Sequence, residues 1–179
     1  DIIISDGRYT TQLNDECPGL AQHIRAPGAP MPKEVAKVLA PAKISKLAVE
    51  ADSMTLSLKE ALADEVANLQ FLSTTGLVEE LRLVKDKQEI ALTRQAIRQA
   101  ERAFEVLKAT LHPDKTEKQV ADELEFQMRL FGAKGTSFTT IVAVGATAAL
   151  PHAQPWLQTV GANPVLLVDW GADGGLYKS

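Results

Sequence analysis

The 179-residue sequence predicts a mixed α/β (α+β) chain in two parts. Before Gly76, short apolar runs alternate with short helical patterns; after it, two long amphipathic helices lead into a pair of strands. Gly76 sits between the two patterns as a turn residue and sets the expected domains at 1–76 and 77–179.

Ile2 to Ile4 reads as a buried strand leaving into the turn Ser5-Asp6-Gly7-Arg8-Tyr9. Cys17 to Pro32 is rich in proline and glycine and reads as an irregular connection. Pro32-Lys33-Glu34 opens a short helix through Leu39, because a proline in the first helical turn lacks an N–H that would be unpaired anyway. Lys46 to Glu50 reads as a short strand, and Ser57 to Leu69 as a helix with Leu58, Leu62 and Val66 on one face. Leu77 to Val84 reads as an extended link.

Asp86 is placed to cap a long helix, with Glu89 able to reach back to the cap. Ile90, Ile97, Ala100, Phe104, Leu107 and Leu111 form its apolar stripe, and Pro113 marks its end. Thr116 and Gln119 make a second capping box, opening a helix that turns Val120, Leu124, Met128 and Phe131 inward. Gly132 then supplies its C-terminal cap. From Phe138 to Val144 the pattern is that of a strand, Gly145 to Gln154 is a loop, and Gly161 to Pro164 a turn. Val165 to Val168 has no polar face and reads as a strand buried on both sides.

A 45% apolar and 23% charged composition is that of an ordinary globular protein. A net charge of −4 provides no basic footprint, so neither nucleic acid nor a membrane surface is expected as a partner. No apolar run is long enough for a membrane span. Cys17 is the single cysteine, which precludes an intramolecular disulfide and fits a reducing compartment; a cytoplasmic location is expected. Ile2 to Ile4 directly after Asp1 resembles a strand inside a domain rather than a signal peptide, and both ends are expected to be cuts in a longer chain.

Two residues are candidates for chemistry. Asp169 closes the last strand, where an ionised carboxylate in a dry setting requires a charge, hydrogen bonds or a metal. Carboxylate oxygens suit hard divalent ions. The plainer use of such an Asp is to start the following glycine-rich turn, accepting the N–H of Gly171 or Ala172, and spacing alone favours that use. His152 lies in Leu150-Pro151-His152-Ala153-Gln154-Pro155, where two prolines stiffen the loop that carries it. Taken alone it reads more readily as a partly buried loop histidine bonded to a backbone carbonyl. His23 has no carboxylate cluster near it in sequence, and His112 sits at a helix end, so both read as structural. Asp122, Glu123 and Glu125 read as a solvated helix face, and Gly171, Gly174 and Gly175 lack the Lys-Ser/Thr of a phosphate loop.

Several segments in order resemble the pita-bread (M24) metallopeptidase family, in its Xaa-Pro aminopeptidase and prolidase branch. Ser5-Asp6-Gly7-Arg8-Tyr9 and Val49 to Thr55 resemble the late part of a creatinase-type N-terminal domain. Leu81 to Asp86 with Glu89-Ile90 resembles the entry into the catalytic domain, and Ser137 to Ala143 and Leu150 to Ala153 the strand and loop that bring in a substrate-side histidine. Asp169-Trp170-Gly171-Ala172 resembles the segment of the first metal ligand. The resemblance implies the remnant of a creatinase-type N-terminal α/β domain followed by the first half of a pita-bread catalytic domain.

It further implies that Asp169 is a metal ligand and that His152 contacts the substrate or steadies the tetrahedral intermediate. Two divalent ions, Mn²⁺, Co²⁺ or Zn²⁺, would serve hydrolysis of the bond between an N-terminal residue and proline. The partners implied are a proline-containing peptide and a second subunit in a homodimer. The family's next metal-binding Asp would fall just after Ser179, with a His and two Glu ligands beyond it. This polypeptide by itself is therefore expected to be inactive, and, with sheet edges and apolar faces uncovered, to aggregate or need a partner. Leu176, Lys178 and Thr147 depart from the residues usual at those family positions, which bears on substrate class more than on fold. A metal-free creatinase-like amidinohydrolase, with His152 as an acid–base group, and a non-catalytic pita-bread binding module are the competing readings.

Overall fold

The computed structural model describes residues 1–179 and divides into two compact units, Asp1–Arg82 and Leu83–Ser179. The first contains two parallel strand pairs. β1 (Ile2–Asp6) runs through α1 (Thr10–Glu16) to β2 (Ala21–Arg25), in the register Ile2 opposite Ala21 and Asp6 opposite Arg25. After α2 (Met31–Leu39), β3 (Lys46–Glu50) runs through α3 (Leu56–Glu65) to β4 (Gln70–Thr74), again in parallel. The chain leaves through α4 (Leu77–Leu83). The Asp6 carboxylate accepts the Arg8 N–H at 3.1 Å and shapes the turn after β1, and Thr55 Oγ1 caps α3 through the Leu58 N–H at 3.2 Å.

Sequence reading and structure part company here in several places. Cys17 to Pro32 is not wholly irregular: Ala21–Arg25 is drawn into a strand by pairing with β1, a long-range effect that overrides its weak local pattern. The helix read to Leu69 ends at Glu65, and Gln70–Thr74 becomes β4. Leu77 to Val84 is helical rather than extended through Leu83. Its Leu, Glu and Arg residues are strong helix formers, and Glu79 and Glu80 stand in the first turn, where the helix dipole favours them.

The second unit is built on a helix hairpin. α5 (Lys87–Thr110) starts with the expected capping box: Asp86 Oδ1 accepts the Gln88 and Glu89 N–H groups, and Glu89 Oε2 accepts that of Asp86. α6 (Glu117–Leu130) starts with the Thr116–Gln119 box and ends at Gly132, whose φ of +92° suits glycine at a helix C-terminus. β5 (Gly135–Thr136) pairs antiparallel with β8 (Ala172–Asp173), and β6 (Ile141–Val144) with β7 (Leu166–Asp169), Ile141 standing opposite Asp169.

Leu107 of α5, Val120, Leu124 and Met128 of α6, and Val142 and Val144 of β6 form the centre of the core. Each such side chain contributes roughly 1.5–3 kcal/mol through burial. The buried line on α5 is Ala96, Ala100, Ala103 and Leu107, whereas Ile90, Ile97 and Leu111 of the predicted stripe are exposed. Small residues let neighbouring elements approach α5 closely. The dry strand is β6, buried along its whole length, and it begins at Ile141 rather than Phe138. β7, expected to be buried on both sides, alternates between half-buried and exposed.

Candidate substrate and metal site

Asp169 lies on the exposed phase of β7, so the burial argument for pairing its carboxylate does not apply. Its backbone is nonetheless held firmly. The next residue, Trp170, donates Nε1–H to the Ala100 carbonyl at 3.1 Å and stacks on Phe104 with ring centroids 4.1 Å apart. At Gly171 an added Cβ would stand 2.2 Å from Ser137 Oγ and 2.4 Å from the Ser179 carbonyl oxygen, so only glycine fits. The Gly171 carbonyl accepts the Ser137 N–H at 2.9 Å, and Ser179 Oγ accepts the Ala172 N–H at 2.8 Å. Tyr177 donates its hydroxyl to Glu89, tying the last turn to the start of α5.

These bonds remove one of the two N–H groups that the plainer reading gave Asp169. The Ala172 N–H goes to Ser179, and the carboxylate that shapes the glycine-rich turn is Asp173, whose Oδ1 accepts the Gly175 N–H at 2.7 Å. That bond holds the Asp173 carboxyl below its ordinary range; burial opposes it and Lys178 adds to it. Asp169 is left facing a cavity.

His152 reaches the same cavity from the loop after β6. A turn closed by the Leu150 N–H on the Thr147 carbonyl at 3.0 Å precedes it. Ala153, buried beside Ile141 and Ala143, anchors the loop immediately after it. The cavity, of about 540 Å³, is lined by Phe138, Thr139, Ile141, Pro151, His152, Gln154 and Asp169. The two residues singled out from sequence are thus brought together, and both are exposed to it. Thr139 and Gln154 add polar groups that sequence reasoning had not marked.

The other candidates fall elsewhere. His112 lies just past the end of α5, exposed, 3.3 Å from Asp114. His23 has a carboxylate after all: its Nε2 is 2.7 Å from Glu34 Oε2, and Lys37 Nζ donates to the other Glu34 oxygen at 2.6 Å. Glu123 does not stand on a fully solvated face, since Thr110 and Lys115 both donate to it. A cavity of about 380 Å³ at the carboxyl ends of β1 and β2 is lined by Asp6, Arg8 and Arg25, but these charges are paired with one another.

The residues present do not make up a two-metal centre. Asp169 is the one acidic group on its cavity, and no cluster of three or more His, Cys, Asp or Glu side chains forms anywhere in the chain. One carboxylate supplies at most two oxygen ligands and a single negative charge, too few to hold two divalent ions.

Residues 91–179 match the model of metallopeptidase family M24, and residues 1–84 that of the creatinase/prolidase N-terminal domain. The uncharacterized peptidase YqhT of Bacillus subtilis is 31% identical over 94% of this chain and 47% of its own length. An Xaa-Pro dipeptidase of Lactobacillus helveticus is 32% identical over 74% of this chain and 36% of its own. The solved structure of an X-Pro aminopeptidase from Thermotoga maritima superposes with a TM-score of 0.86 at 32% identity, covering 96% of this chain and 48% of that one. The chain spans about half the length, or less, of the curated relatives it matches. It belongs to metallopeptidase family M24, with a creatinase/prolidase N-terminal domain ahead of the M24 segment.

Proposed function

We propose that the full-length protein hydrolyses the peptide bond between an N-terminal residue and a following proline, as an aminopeptidase or dipeptidase dependent on divalent metal. In this reading residues 1–76 are the C-terminal part of the creatinase-like domain and 77–179 the first part of the pita-bread domain. Asp169 is one metal ligand, the remaining ligands coming from residues beyond these 179, and His152 contacts the substrate or steadies the tetrahedral intermediate. The observation that carries the reading is that Asp169 shares one cavity with His152, while the Ala172 N–H it could have accepted goes to Ser179. Mn²⁺, Co²⁺ and Zn²⁺ are the ions to test, a homodimer the assembly and the cytoplasm the compartment.

The test is a peptidase assay of the full-length protein on an Xaa-Pro dipeptide and an Xaa-Pro-Xaa tripeptide, with matched alanine peptides as controls. Turnover of the proline peptides that stops on chelation, returns with Mn²⁺ and is lost in Asp169→Asn supports the reading. Turnover indifferent to chelator, or an Asp169→Asn variant as active as the parent, overturns the metal role. The 179-residue polypeptide alone is expected to show no turnover.

A further inference from the structure

Glu117 is the first residue of α6 and is only 2% exposed, yet no cation pairs with it. Two backbone groups do. Its Oε1 accepts the Val144 N–H at 2.9 Å, and its Oε2 accepts the Trp156 N–H at 3.0 Å. Val144 is the last residue of β6, before the loop that carries His152, and Trp156 follows Gln154-Pro155 where that loop returns. The helix backbone strengthens the second attachment, since Glu117 N–H donates to the Gln158 carbonyl at 2.9 Å and Lys118 N–H to the Trp156 carbonyl at 3.0 Å. One buried carboxylate therefore joins both ends of the segment bearing Pro151-His152, and its charge is met by those N–H groups and the helix N-terminus.

We propose that Glu117 is a positioning residue for His152: it staples the two ends of the His152 loop to α6 and so holds the imidazole against the cavity. The proposal rests on the substrate-contacting role given to His152 above. Without the staple the loop keeps its turn at Thr147 and its anchor at Ala153 but loses the fixed distance between its ends. Glu117→Gln retains the shape and one acceptor oxygen while presenting an NH₂ to the other N–H, so it breaks one prong in a chain that still folds. Glu117→Ala breaks both.

The deciding experiment is a double-mutant cycle in the full-length protein, read on an Xaa-Pro substrate, with folding checked by circular dichroism. Glu117→Gln is expected to lower kcat/KM roughly 10–100-fold beside the native histidine, as loss of an orienting partner does, and by less than about twofold in the His152→Ala background. Equal losses in both backgrounds would show a purely structural role and overturn the proposal, as would no loss at all. If Glu117→Ala does not fold, Glu117→Gln decides alone. Should the protein not cleave Xaa-Pro peptides, the peptidase reading fails, and the ring ¹⁵N resonances of the three histidines decide the positioning role by themselves. A shift confined to His152 in Glu117→Gln supports it, and an unmoved His152 overturns it.

Discussion

The two units solve cohesion differently. Leu83–Ser179 encloses a dry centre of Leu107, Val120, Leu124, Met128, Val142 and Val144, whereas in Asp1–Arg82 Leu62 is the one hydrophobic residue that is fully buried. Leu56, Leu77 and Leu81 of the first unit are more than half exposed. That unit relies on two parallel strand ladders and on polar knots such as His23–Glu34–Lys37. Partly exposed ion pairs stabilise little, so the first unit is the weaker one and the second is the rigid platform. The candidate site lies wholly on the platform.

The largest test of this contrast is truncation of each core. Leu124→Ala in the second unit is expected to destabilise by about 2–5 kcal/mol, and Leu62→Ala to fall near the lower end of that range because its surroundings can collapse. Hydrogen exchange should show each loss confined to its own unit; a larger effect at Leu62 would reverse the ranking. A middle-sized effect is expected at Gly171→Ala, where the new Cβ meets Ser137 Oγ and the Ser179 carbonyl. Overpacking of that kind destabilises by about 1–3 kcal/mol, and the shift should appear as faster exchange around Asp169 with α6 unchanged.

The smallest effect is acid sensitivity of the first unit. The hydrogen bond from Lys37, then that from His23, holds the Glu34 carboxyl below its ordinary value of 4.5. The unfolded chain therefore takes up this proton at higher pH than the folded one. The stabilisation is complete above the ordinary glutamate range and drains away as pH falls below it. Lys37→Ala should flatten that slope in an exchange-detected acid titration of residues 1–82, and an unchanged slope would remove Glu34 from the account.

What the sequence made readable was what is local. Asp86 with Glu89 and Thr116 with Gln119 announce α5 and α6, because capping chemistry is settled within one turn. The mixed α/β class followed from the same periodicities. β2 and β4 were missed because their pairing partners lie a whole helix away. At the candidate site, His152 and Asp169 could be named, but not that Ser179 would take the Ala172 N–H ahead of Asp169. Glu117 shows the limit most clearly. In sequence it is an acidic residue in a first helical turn, a position where such residues usually face water, and only the return of the chain at Val144 and Trp156 buries it.

The bonds that fix the segment after Asp169 also say when it can be fixed. Trp170 reaches back 70 positions to Ala100, and Tyr177 reaches 88 positions to Glu89. Helices such as α5 and α6 form within about a microsecond, while contacts between distant positions wait for a folded surface to receive them. Each doubling of the span adds only about 0.6 kcal/mol of closure entropy, so late stitching carries little thermodynamic penalty. On the ribosome the strand bearing Asp169 would emerge before Tyr177 has left the tunnel. The carboxylate is then among the last groups of its unit to settle.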